Sequence, residues 1–161
     1  MADDKIFHVL PRLVTKLTTP LQPLVPLATR IVLGQAFVLT GLGKWRNFDR
    51  TAEFFGNIGI PVPRANAAFI ATLELVGGAC LILGFGTRIF SLLLSATMVV
   101  ALMTADREAF LGAFALSPET GKGFTDVVPV VFLLFLLWLA AWGAGPISAD
   151  HLLPRAPPKS D

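Results

Sequence analysis

The chain has 161 residues, of which 54% are hydrophobic and only 15% charged, and its mean hydropathy is +0.70. A soluble domain carries about 25% charged residues, so this is a membrane composition, and the length allows one compact domain. The net charge of +2 and pI near 9.0 come from Lys and Arg gathered at the ends of apolar segments. That pattern serves lipid headgroups and excludes a nucleic-acid face.

Residues 1–23 form an N-terminal segment with Asp3, Asp4, Arg12, Lys16 and three prolines. This lacks the basic start and continuous apolar run of a cleavable signal. Ile6, Leu10, Leu13 and Leu17 make a short apolar stripe suited to the membrane surface. Crossing about 30 Å of hydrocarbon takes about 20 helical residues. Four segments are expected to do so, at about 24–43, 65–86, 89–105 and 127–145. They define a membrane domain over 24–153, followed by a tail at 154–161. The expected fold is all-α, a bundle of four transmembrane helices.

The second and third spans are separated only by Thr87 and Arg88 and must form a tight hairpin. Trp45–Arg64 carries Phe48, Ala52, Phe55 and Ile58 at helical spacing, opposed by Arg46, Asp49, Arg50 and Glu53. It predicts an amphipathic interfacial helix ended by Gly59-Ile60-Pro61. The segment 106–124, with Pro118 and three glycines, predicts an irregular cap. Seven of the 13 basic residues fall on the side of the termini, which favours cytoplasmic termini.

Charges inside the spans mark the candidate site. Along the first helix Arg30, Gly34, Phe37, Gly41 and Lys44 share one face; on the second, Ala67, Ala71, Glu74, Gly78, Leu81 and Phe85 do the same. Glycines on those faces, Gly77 beside Gly78 included, let the helices pack closely. Glu74 lies nine residues inside the span, roughly 13–14 Å deep at the helical rise. Its side chain leans back toward Lys44, whereas Arg30 leans the other way. The geometry therefore favours a Lys44–Glu74 association, with Asp126 able to join it from the fourth helix. Arg30 is left to helix carbonyls or lipid phosphate. Intramembrane ionisable groups are functional candidates by default, so Glu74, Lys44, Arg30 and Asp126 are the candidate ligand or proton site. The plain alternative is a set of interhelical ties worth about 0.6–2 kcal/mol each.

Other chemistry is narrowed by what the sequence lacks. His8 and His151 fall outside the spans, and there is no HExxH, Cys/His cluster, phosphate loop or GxSxG, so no metal centre is expected. Cys80 is the sole cysteine and cannot form an internal disulfide. Trp138 and Trp142, at spacing four, suit an interfacial belt.

Several stretches resemble the DoxX family of small four-helix membrane proteins. They are Arg30-Ile31-Val32-Leu33-Gly34, Gly41-Leu42-Gly43-Lys44, Phe54-Phe55 leading into Gly59-Ile60-Pro61, and Glu74-Leu75-Val76-Gly77-Gly78. The hairpin Gly84-Phe85-Gly86-Thr87-Arg88 and the closing Gly143-Ala144-Gly145-Pro146-Ile147-Ser148-Ala149-Asp150 complete the pattern, which runs from about Leu27 to Leu153. The resemblance implies a multi-pass protein of the bacterial inner membrane, related to the small membrane subunit of a thiosulfate:quinone oxidoreductase. It implies a redox-linked subunit with no intrinsic cofactor, a quinone as candidate ligand, and a second redox protein as partner. Glycine-lined faces also suit a homo-oligomer. The alternative is a non-catalytic scaffold, assembly subunit or small-molecule carrier.

Overall fold

The computed structural model describes residues 14–114 and 123–152, and every regular element among them is helical. The N-terminal apolar stripe reaches back through residues outside this set, as do the 154–161 tail and the middle of the 106–124 cap.

Helix α1 spans Leu24–Arg46, and helical backbone leads into it from Val14 through a 3-10 turn at Thr19–Leu21. It stops where the Asn47 N–H and Nδ2 both donate to the Gly43 carbonyl, at 3.1 and 3.0 Å. The amphipathic segment folds as α2, Phe48–Asn57, with Ala52 and Phe55 buried and Asp49, Arg50 and Glu53 exposed. Gly59, at φ +81°, turns the chain into α3, Pro63–Leu83. Proline suits the first helical turn, where its missing N–H has no intrahelical partner to lose. Gly84, at φ +70°, ends α3, with the Phe85 N–H on the Cys80 carbonyl at 2.9 Å. This is a left-handed glycine cap, and it sets the hairpin. Helix α4 is Thr87–Met103 and α6 is Val128–Trp142, with α5, Arg107–Phe114, between them. A short α7, Ala149–Leu152, closes the described chain.

The helices pack as two antiparallel pairs, α1 with α3 and α4 with α6, joined mainly through α3 and α4. Leu33 and Phe37 of α1, Leu81 of α3, Leu94 of α4, and Leu136 and Leu139 of α6 meet in the central core. The Phe37 and Phe132 rings pack edge-on at 5.6 Å. Helix α2 lies against α3 through Ala52, Phe55 and Ala67. The outward faces stay apolar, with Val32, Phe69, Leu83 and Leu134 each at least 60% exposed. In water such a surface would be unstable; in lipid it is solvated.

Helix lengths differ from the expected spans in instructive ways. The α1 segment and α3 are each long and apolar enough to cross a membrane alone. Helix α4 bends by 82° into α5, and the two are long and apolar enough to cross a membrane only when taken together. The first half of the expected irregular cap is thus helical. Ala113 is buried with Leu102 and Val127, and Phe110, Phe114 and Phe124 pack ring against ring. That aromatic cluster rewards helical order over a stretch whose polar residues and Gly112 suggested a loop. Helix α6 has only 15 residues. It stops at Gly143, whose φ of +85° breaks the helix before the expected end at Gly145.

Candidate functional site

Close packing of α1 on α3 positions the charges. A Cβ placed on Gly78 would stand 2.6 Å from the Gly34 carbonyl, and one on Gly41 would stand 2.7 Å from the Leu75 nitrogen. The helices therefore touch backbone to backbone along the glycine faces. Gly77 faces the other way, toward the Leu94 side chain of α4.

This contact brings Lys44 Nζ within 2.5 Å of Glu74 Oε2. The Glu74 side chain is 5% exposed and that of Lys44 25%. The carboxylate lies inside the bundle, and the ammonium reaches it from the end where α1 finishes and α3 begins. Removing one member would leave the other charge buried and uncompensated, which costs about 3–5 kcal/mol in buried pairs. The exposed Arg64–Asp49 pair at 2.8 Å ties α3 to α2 at the same end. Exposed pairs of that kind contribute about 0–1 kcal/mol.

Asp126 does not join this pair. It is exposed, and its Oδ2 accepts the Gly123 N–H at 2.7 Å, closing the 3-10 turn Phe124–Asp126 that leads into α6. A carboxylate in the first turn serves its own backbone more readily than a distant site.

Arg30 anchors a second polar centre at the opposite, hairpin end. The residue is 1% exposed, and its Nη2 donates to the Ile147 carbonyl at 2.5 Å. Its Nε and Nη1, like the hydroxyls of Thr87 and Ser91, are buried with no hydrogen-bond partner among the described residues. Asp150 is close enough to act on Arg30 through its charge. Its two oxygens accept the Gly86 and Thr87 N–H groups at 2.7 and 3.0 Å, while its own N–H donates to the Gly84 carbonyl at 2.9 Å. Asp150 therefore caps α4 from across the chain. The carboxylate also suits the positive end of the helix dipole. Sequence reading missed this role; the signal available was the acid closing the Gly143–Asp150 stretch. Asp150→Ala is expected to lower stability by about 1–2 kcal/mol, read as a lower thermal midpoint in detergent, and Asp150→Asn should lose less.

A cleft of about 750 Å³ opens at this end, lined by Gly86, Arg88 and Ile89 on one side and by residues 142–146, Ser148, Asp150 and His151 on the other. Among the described residues no group of three or more His, Cys, Asp or Glu is placed to hold a metal ion.

A helical bundle with apolar outer faces, a buried Lys–Glu pair and a buried arginine is a small integral membrane protein with two polar centres. The chain belongs to the DoxX family, whose model matches residues 25–107. It is 37% identical over 87 residues to the Bacillus subtilis (strain 168) protein named "Putative oxidoreductase CatD", covering 53% of this chain and 63% of that protein. It is 26% identical to the inner membrane protein YphA of Escherichia coli (strain K12), over 81% of this chain and 91% of YphA. The membrane protein Rv3486 of Mycobacterium tuberculosis (strain ATCC 25618 / H37Rv) is 30% identical over 78% of this chain and 79% of its own length. No solved structure gives a significant match.

Proposed function

We propose that this protein is a membrane subunit of a redox-linked system, exchanging protons at the Lys44–Glu74 pair as a partner protein passes electrons to the quinone pool. The observation that carries the reading is a carboxylate 5% exposed inside the bundle and linked outward, among the described residues, through a lysine that is 25% exposed. That arrangement gives a buried proton acceptor one polar contact to the membrane surface. The relative named as an oxidoreductase agrees with it. The chain's own groups bind, orient and exchange protons, and redox chemistry comes from the partner and the quinone. Glu74→Gln is expected to lower quinone-coupled turnover about tenfold or more at matched membrane levels. Unchanged turnover would overturn the reading. Gentle detergent purification with mass spectrometry of bound proteins and lipids identifies the partner and any quinone.

One observation favours a scaffold instead: the two charges meet directly at 2.5 Å and neutralise each other. A purely structural pair predicts that Glu74→Gln reduces the amount of protein in membranes while each surviving molecule works normally.

A further inference from the structure

We propose that the cleft at the hairpin end seats the phosphate headgroup of an anionic phospholipid, with Arg88 as the phosphate-binding residue. Arg88 is exposed at the first turn of α4 and pairs with no acid among the described residues. The carboxylate in the same cleft, Asp150, is committed through both oxygens to the Gly86 and Thr87 N–H groups. Arg88 packs beside Gly143 on the opposite wall. Its side chain lies across Gly143, where a Cβ would come within 3.3 Å of Nε, so the glycine at φ +85° both turns the chain and makes room for the guanidinium. A cation at the mouth of a cleft with no ion-pair partner among the described residues suits an external anion.

The walls say which kind of anion. Ile89 and Trp142 line the cleft while remaining 65% and 71% exposed, and Trp142 stacks on Trp138 at 6.3 Å. Below them Leu92, Leu93 and Phe135 stay exposed along α4 and α6. A headgroup at Arg88 would have its acyl chains lying along these side chains, whereas a soluble anion would leave them unused. Stacked tryptophans at a helix end also belong at headgroup depth. A volume of about 750 Å³ falls in the range of ligand pockets.

The test is native mass spectrometry of the purified full chain in detergent. It is titrated with phosphatidylglycerol and with phosphatidylcholine of the same acyl chains. The wild type is expected to retain phosphatidylglycerol preferentially, and Arg88→Gln to lose about fivefold of that preference. Arg88→Lys should recover part of it, and Arg64→Gln, at the far end, should leave it unchanged. Thermal midpoints matching the wild type show that the Arg88 variants are folded. Equal retention by Arg88→Gln, no preference between the two lipids, or displacement of the lipid by millimolar inorganic phosphate would each overturn the proposal.

Discussion

Gly78→Ala is expected to destabilise the folded protein by about 3 kcal/mol, seen as a large drop in the thermal midpoint in detergent. The new methyl would lie 2.6 Å from the Gly34 carbonyl and 2.8 Å from the Val38 nitrogen. Both are backbone atoms of α1 and cannot rotate away, so the helices must part. Parting them also lengthens the reach between Lys44 and Glu74, and the buried pair weakens with the packing. Gly43→Ala is the control on the same helix, because a Cβ there meets nothing within 4 Å. It should stabilise by about 0.5–1 kcal/mol, the usual helical gain of alanine over glycine. Similar effects from both variants would show that α1 and α3 do not touch through these glycines.

Gly84→Ala should be comparably severe, at about 3 kcal/mol, for different reasons. Its φ of +70° disfavours any side chain, and the added methyl would overlap Arg30 Nη1 and come within 2.6 Å of Ser148 Cβ. Arg30 cannot swing aside cheaply, because it is 1% exposed and tied to Ile147. The two positions must therefore be coupled. Arg30→Ala alone is expected to cost about 3 kcal/mol through the lost packing and fastening, but the double variant should cost at least about 1 kcal/mol less than the sum. Strict additivity by thermal or chemical unfolding would sink the account.

How much of this was legible in the sequence depended on whether the information was local and periodic. Lys44 and Glu74 sit on regular antiparallel helices, so spacing, lean and helix order were enough to bring them together. The backbone contact at Gly34 and Gly78 followed from the same periodicity. Arg30 was legible as a residue in need of a carbonyl, but the acceptor, Ile147, lies 117 positions away in a non-helical segment with no period to read. Asp126 misled because its charge suggested reach, while its place in a 3-10 turn gave it a nearer N–H. The 82° bend after Met103 was hidden for a related reason: it is accompanied by aromatic packing between α5 and the 3-10 turn before α6, which only tertiary structure brings together.

The link from Arg30 to Ile147 also sets an order of events during biogenesis. Its donor is made 117 residues before its acceptor, so at ribosomal speeds of 5–20 residues per second about 6–23 s pass between them. Once made, the first helices carry an arginine that the finished bundle has not yet claimed. Closure of the hairpin end is thus a late step, completed when the last segment arrives, and a chain cut short after Trp142 would insert its helices yet never lock them.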